Sequence, residues 1–361
     1  MNVLTIVILA FSILGAFDWI IGNKIGVGKE FERAFSLFAP MALSTLGMIV
    51  IAPAIGAWLQ PSFQSFYDAF KIDPSIIPTS FLANDMGGMA LAQSSCKNEL
   101  IGNFNAFVVS SMMGCLVSFT LPFSLGLVKK DQHNELFLGI LCGITTIPIG
   151  CFVAGLICGI PLLALIINLL PLFIVGIIIA LALVFFRKAC IKCFAVFGFF
   201  MRILSLMGLV LAIFTFLTKI ELVPEFDSFE NAAFICANAC VTFSGALPFM
   251  FLATKLLDKP LNFLSSKIGI NGTSSIAFLG TLVTNATTFG AMEKMDKKGV
   301  VLNSAFAVSA SFVFGSHLAF TMAFDSSYIL PMIIGKIIAG IFAVLLATII
   351  YKSPSYQGRN A

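Results

Sequence analysis

The stretch FLANDMGGMALAQ, residues 81–93, places Asn84 and Asp85 inside an apolar run and follows them with Met86, Gly87 and Gly88. A carboxylate at the centre of a membrane helix costs about 2.5–3.5 kcal/mol on insertion scales. Two adjacent glycines permit positive φ and close backbone approach. Together these residues predict a helix that breaks at membrane depth and leaves backbone groups free to line a cavity, with Pro74 and Pro78 ending the structure before it. Asp85 would then face a polar cavity and need a cationic partner. In the functional reading that partner is a transported cation; the structural alternative is a cap or loop charge at the interface.

Composition decides that the surroundings are lipid. The 361 residues are 59% hydrophobic and only 11% charged, with a mean hydropathy of +1.04. Soluble proteins carry roughly 25% charged residues, so the charges for a polar coat are missing. Several apolar stretches reach the roughly 20 residues that span a bilayer. The fold class is therefore an all-α integral membrane protein in contact with membrane lipid. The net charge of +4 sits in short basic loops and reads as topology, not as nucleic-acid binding. The sequence lacks H-E-x-x-H, P-loop and G-x-S-x-G patterns, its two histidines are His133 and His317, and no acidic cluster marks a metal site. The expectation is a protein that is not an enzyme and uses no metal or cofactor. Most of the nine cysteines lie in apolar stretches and pack as small hydrophobes. Cys190 and Cys193 form a lone C-x-x-C in a basic loop, read as coincidence.

The apolar runs predict about nine helical spans, near 3–21, 34–58, 103–127, 136–158, 162–186, 195–218, 231–254, 301–321 and 328–350. The first has no basic start and no cleavage site, so it reads as a span and not a signal peptide. Segments 76–95 and 272–292 are rich in Gly, Asn, Thr, Ser and Pro, and suit re-entrant or broken helices. If both return to the side they came from, Lys24, Lys29, Arg33, Lys129, Lys130, Arg187, Lys188, Lys192, Lys255, Lys259, Lys267, Lys294, Lys297, Lys298 and Lys352 share one side. The other side keeps mainly Lys71, Lys97 and Lys219 beside Asp68, Asp73, Glu99, Glu221, Glu225 and Asp227. That is a positive-inside pattern with the N-terminus out and the C-terminus in.

A duplication accompanies it. NAFVVSSMM at 105–113 matches SAFAVSASF at 304–312, and IPIGCFVAGLI at 147–157 matches MIIGKIIAGIF at 332–342. Pro53 pairs with Pro248, and Asn84 with Asn285 in TLVTNATTFGA. The division is repeat 1 over 1–158, a linker helix and basic loop over 159–194, and repeat 2 over 195–361. With five crossings between equivalent points the second repeat is inverted, an architecture of secondary transporters.

The candidate binding residues follow. Asp85 is the site for a cation, with Asn84 beside it and Gly87 and Gly88 opening the backbone. The partner segment offers Thr284, Asn285, Thr287 and Thr288, either as ligands for a hydroxyl or as helix caps. His317 either senses pH or satisfies a neighbour. Lys336 is the one Lys well inside a span and is expected to pair with a buried acid, Asp85 in the empty state. Asp18, near the end of the first span, reads as interfacial. Asn103, Asn105, Ser110, Ser111, Asn303, Ser304, Ser309 and Ser311 read as polar glue between helices. The G-x-x-x-G patterns Gly22–Gly26 and Gly155–Gly159 are too weak to specify a homo-oligomer, which stays open.

LANDMGGMALA (82–92), TIPIGC (146–151), FGAMEKMDKKG (289–299), AFAVSASFVFGSHLAF (305–320) and PMIIGK (331–336) resemble, in order and over essentially the whole chain, the EutH-type ethanolamine permease family. The resemblance implies a bacterial inner-membrane protein that brings ethanolamine into the cell for breakdown by other proteins. Ethanolamine is a small ammonium with one hydroxyl. Asp85 suits the ammonium, Asn285 or a nearby Thr the hydroxyl, and Phe81 or Phe289 a cation–π contact. Two departures stand out: Ser316 replaces an acid common before the matched His317, and the position of Asn84 varies. A channel-like facilitator of the uncharged amine, and a non-conducting membrane sensor, are the competing readings.

Overall fold

The computed structural model describes residues 3–353; the chain ends, and with them the ends of both repeats, lie outside the described residues, as do the side chains of Arg187, Lys188 and Lys259. Among the described residues there is no strand. The helices are α1 (Val3–Ile20), α2 (Val27–Phe70), α3 (Ile76–Phe81), α4 (Gly88–Ser95), α5 (Glu99–Leu127), α6 (His133–Ile157) and α7 (Leu162–Phe185). They continue as α8 (Arg187–Thr218), α9 (Phe229–Ile268), α10 (Gly272–Val283), α11 (Asn285–Ala291), α12 (Lys297–Ala310), α13 (Ser316–Phe324) and α14 (Ile329–Lys352). Seven of them, α2, α5 to α9, and the segment holding α14, are long and apolar enough to cross a membrane. The chain is a multi-pass membrane protein.

Contacts define the two ends of the bundle. At one end Lys129 pairs with Glu293 at 2.5 Å and Gln132 donates to the Met292 carbonyl. Lys298 donates to the Ile268 carbonyl there. Lys255 reaches the carbonyl of Ile25. This end gathers the basic residues. At the opposite end Tyr328 donates to the Leu100 carbonyl. Lys219 lies 3.9 Å from Glu230 there.

Both predicted weak segments are broken hairpins, α3–α4 and α10–α11, and they enter from opposite ends. At its mouth, α3–α4 is stapled by the buried Asp73. One carboxylate oxygen accepts the Ser75 N–H and hydroxyl at 3.0 and 2.6 Å; the other accepts the N–H groups of Lys97 and Asn98, both at 2.9 Å. The second mouth, at the basic end, is closed by Asp296, which accepts from Asn271, Ser274 and Gly299. An Asn on the following helix braces each hairpin start: Asn105 donates to Ser75, and Asn303 to the Ser274 carbonyl.

Several expectations change. The predicted span 301–321 is not one helix: α12 stops at Ala310, α13 starts at Ser316, and Phe312 takes a positive φ of 62° between them. The similar sequence in α5 stays helical but loosens into π-helix over Asn105–Gly114. The basic loop expected around 187–194 is the first turns of α8, so Cys190 and Cys193 are helical, one buried and one exposed. Likewise α9 runs on through 255–267. Asp18 is buried; it accepts the N–H groups of Ile25, Gly26 and Gly28 at 2.8, 3.0 and 2.8 Å and shapes the turn after α1. Gly22, Gly26 and Gly159 sit at positive φ in turns, so the G-x-x-x-G patterns serve turn geometry.

The first hairpin tip lies directly on α5. A Cβ on Gly114 would stand 2.0 Å from the Leu82 carbonyl oxygen and 2.7 Å from that of Thr79, backbone atoms that cannot rotate away. Gly114→Ala is therefore expected to lower stability by about 1–3 kcal/mol, the usual range for overpacking. Gly126→Ala, where nothing lies within 4 Å, should leave it unchanged or raise it by up to about 1 kcal/mol. Thermal melts of both variants in detergent check this, and equal melts contradict it. Asp73→Ala strands three N–H groups that now meet a charge, each worth about 1.5–3 kcal/mol. Its melting temperature should fall, and the adjacent half-buried Cys96 should react faster with a maleimide.

Candidate functional site

Two helix breaks, one from each half of the chain, converge between the two ends. In the first, Asn84–Met86 forms a single 3₁₀ turn between α3 and α4, and Gly87 follows at φ 92°. A Cβ on Gly87 would meet the Met48 side chain at 2.7 Å; one on Gly88 would meet the Leu82 carbonyl and the Ser110 hydroxyl, both at 2.3 Å. The glycines thus let the tip reverse against α2 and α5. Two carbonyls at this tip already have partners. The Leu82 carbonyl accepts from Ser110, and that of Ala83 from the N–H groups of Met86 and Gly88.

In the second break, the Phe312 and Phe314 N–H groups donate to the carbonyls of Thr281 and Leu282 at the end of α10. Gly315 is needed because a Cβ there would lie 2.1 Å from the Val283 carbonyl. The chain then starts α13 with Ser316, whose side chain faces the Asp85 carboxylate, and His317.

Asp85, His317 and Lys336 form a line. His317 Nε2 is 4.0 Å from Asp85 Oδ1. On its other side Nδ1 is 3.0 Å from Lys336 Nζ on α14, which also donates to the Ser111 carbonyl of α5. His317 and Lys336 are buried, while the Asp85 side chain is 21% exposed. Lys336 therefore reaches Asp85 through the imidazole and not by the direct pairing expected from sequence. With the ammonium donating to Nδ1, the Nε2 face is turned to the carboxylate.

Asp85 and His317 stand in the wall of a cavity of about 740 Å³. Met41 to Met48 on α2, Cys115 to Leu127 on α5 and Ala195 to Ser205 on α8 supply most of its wall. The lining runs from the middle of the bundle toward the basic end. Asp85 is the one carboxylate in it and Arg202 the one guanidinium. Phe119, Phe123 and Phe312 add aromatic faces. Phe119 stacks on Phe123 at 4.9 Å between centroids and meets Phe312 edge-on at 5.6 Å; Phe312 packs on His317 at 5.0 Å. A small ammonium drawn to Asp85 would leave bulk water among these rings.

The other candidates lie behind this wall. Asn285 is buried and donates to Thr120, leaving its own carbonyl oxygen without a hydrogen bond. Thr284 caps the Ala286 N–H, Thr287 donates to the Thr284 carbonyl, and Thr288 donates to the Ala277 carbonyl and meets Thr281 at 2.7 Å. Thr284 is a cap, and the Thr287 and Thr288 hydroxyls bond backbone carbonyls within the hairpin. Asn84 is buried; its carbonyl accepts the Asp85 N–H while its amide nitrogen finds no partner. Phe289 is buried behind Phe123 at 6.4 Å, and Phe81 is 40% exposed; neither lines the cavity. The expected polar glue appears where Asn105 pairs with Asn168, whereas Ser304 back-bonds to Val300 within its own helix.

Sequence reading passed over Cys115, Phe119, Phe312 and Arg202, and took Ser316 only as a departure from the family pattern. Arg202 carried a signal, a guanidinium within an apolar span. The phenylalanines carried none among 39 of their kind.

Comparison with known proteins supplies the lineage. The family described as "Ethanolamine utilisation protein, EutH" matches residues 1–350. A "Probable ethanolamine permease EutH" of Listeria monocytogenes is 37% identical over 350 residues, covering 97% of this chain and 93% of the relative. The Salmonella typhimurium protein of the same name is 34% identical, covering 89% and 85%. "Uncharacterized protein YxeR" of Bacillus subtilis is 33% identical, covering 98% and 95%. No solved structure matches. On a family match and relatives that both run nearly end to end, this chain belongs to the EutH ethanolamine utilisation protein family.

Proposed function

We propose that this protein is a permease that carries ethanolamine across the bacterial cytoplasmic membrane, and not an enzyme. The observation that carries the reading is Asp85: a carboxylate held at a helix break, partly exposed in the wall of an interior cavity and backed by a buried imidazole and ammonium. A lone carboxylate among aromatic faces suits a small ammonium, through charge and cation–π attraction. The relatives named as ethanolamine permeases supply the substrate. The cavity lining spans only the half of the bundle nearer the basic end, which fits a carrier open to one side better than a continuous channel.

The architecture proposed with it is a pair of inverted repeats, 1–158 and 195–361, joined through 159–194. Its support is the matching order of elements. Helices α1, α2, α3–α4, α5 and α6 correspond to α8, α9, α10–α11, α12–α13 and α14. The hairpins open at opposite ends, and each half contributes one helix break to the centre. The basic end is assigned to the cytoplasm, with the N-terminus out and the C-terminus in, from the gathering of Lys129, Lys255, Lys294, Lys298 and Lys352 there.

Labelled ethanolamine uptake into proteoliposomes tests the function. Wild type should show saturable uptake. Asp85→Asn, folded by its melting curve, should lose about 1.5–3 kcal/mol of substrate interaction, a roughly 10- to 150-fold fall in uptake at low substrate. Unchanged uptake by Asp85→Asn would remove the carboxylate from the site. For topology, an impermeant maleimide on intact cells should label a variant retaining only Cys96, at the end opposite the basic one, and spare a variant retaining only the exposed Cys193. The reverse pattern inverts the assignment.

A further inference from the structure

We infer that Lys336 is a proton-exchange site, so that each ethanolammonium ion entering is matched by one proton leaving. This inference rests on the permease reading and adds a second transported ion.

The titratable groups facing Lys336 are His317 on α13, Asp85 at the first hairpin tip, Cys115 on α5 and Cys151 on α6. Asp85 is the one group among them that is an anion by ordinary chemistry, and Lys336 is its counter-charge, held 3.0 Å from the imidazole that separates them. The line of Asp85, His317 and Lys336 is neutral as it stands. An arriving ethanolammonium adds a second cation to this line with its one carboxylate, and Arg202 is a further fixed cation in the cavity wall. Two cations sharing one buried anion favour loss of a proton from the group that can give one up. Arginine stays protonated, whereas a buried lysine readily titrates. The imidazole gives the proton a route: Nδ1 accepts from Nζ while Nε2 releases a proton toward Asp85 and the cavity.

The cycle balances. Ethanolammonium binds at Asp85 on the outer side. An N–H bond of Lys336 breaks, its electron pair stays on Nζ, and the proton leaves to that side. The site, neutral again, reorients with its cargo. On the inner side ethanolammonium departs, a proton bonds to Nζ, and the empty site returns neutral. One monocation moves in and one proton moves out, with no net charge transferred. The outcome equals passage of the uncharged amine, yet the bound species is the ammonium. A site neutral in both its loaded and its empty form also avoids carrying an unbalanced charge through an apolar medium.

The test uses full-length protein in liposomes with a trapped pH dye. Initial saturable uptake of labelled ethanolamine is measured after subtracting protein-free vesicles. One set of vesicles has an acid interior and no potential; another has a potassium-diffusion potential, inside negative, and no pH gradient. For wild type the expected result is uptake driven by the acid interior, about tenfold accumulation per pH unit. The lumen should alkalinise one proton per substrate, and the imposed potential should have no effect. Lys336→Met should lose the proton flux and become potential-driven, about tenfold per 59 mV. Lys336→Arg, with a charge that cannot leave, should fold and lose uptake. Saturable wild-type uptake that follows the potential and moves no protons overturns the exchange while leaving the permease reading intact. Proton exchange unchanged in Lys336→Met overturns the role of Lys336. Absence of saturable uptake by folded wild type overturns the permease reading and the exchange with it. If neither Lys336 variant folds, folded Asp85→Asn decides: loss of the pH-driven saturable uptake supports exchange of the bound ammonium, and its survival without the carboxylate means passage of the uncharged amine and overturns the exchange.

Discussion

A helix interrupted inside an apolar slab exposes backbone N–H and C=O groups that water cannot reach, and each must find another partner. Among the described residues there are three such interruptions, at 82–87, 284 and 311–315, and each is resolved by an element from its own half. The first tip is held by Ser110 and Ser118 of α5, which take the Leu82 carbonyl and the Ala83 N–H. The other two satisfy one another, as the Phe312 and Phe314 N–H groups bond the end of α10. Glycine is obligatory where these backbones touch, at Gly88, Gly114 and Gly315. The polar residues scattered through the apolar runs thus serve first to make broken helices stable, and the site is built on that frame.

The frame then decides which charges can be buried. Asp85 emerges from one break and His317 from the other, so neither half of the chain holds the pair alone. Lys336 enters from a third element, α14, and is anchored by the Ser111 carbonyl in the loosened, π-helical part of α5. Where α5 loosens into a wide helix over NAFVVSSMM, the similar sequence SAFAVSASF runs into an outright break before α13. That asymmetry gives the centre of the bundle one acid and one imidazole in place of two copies of either. A transport site for a monocation fits an asymmetric centre of this kind, since a second buried carboxylate would need a second counter-ion.

Ser316 illustrates how far a local substitution can be read. From sequence, the replacement of an acid beside His317 argues against an Asp–His relay. In three dimensions Asp85 supplies the carboxylate from a distant part of the chain, and Ser316 turns its hydroxyl toward it. The same holds for Lys336, whose match to Cys151 in the first repeat gave no hint of an imidazole between it and its acid.

Sequence alone determined the membrane setting, because charge content and apolar run length depend on composition and not on contacts. It also determined that 76–95 and 272–292 are broken, since paired glycines and clustered Thr, Ser and Asn do not continue a lipid-facing helix, and that the basic segments fall together at one end. Tertiary structure alone decided which polar residues remain available for chemistry. Thr284, Thr287 and Thr288 bond backbone groups within the hairpin, Asn285 is turned to Thr120, and Phe119 and Phe312 take the cavity wall in place of Phe81 and Phe289. The physical reason is that a buried hydroxyl or amide bonds whatever backbone group lies nearest. Which group that is depends on how separate helices pack, and residue order along the chain does not encode it.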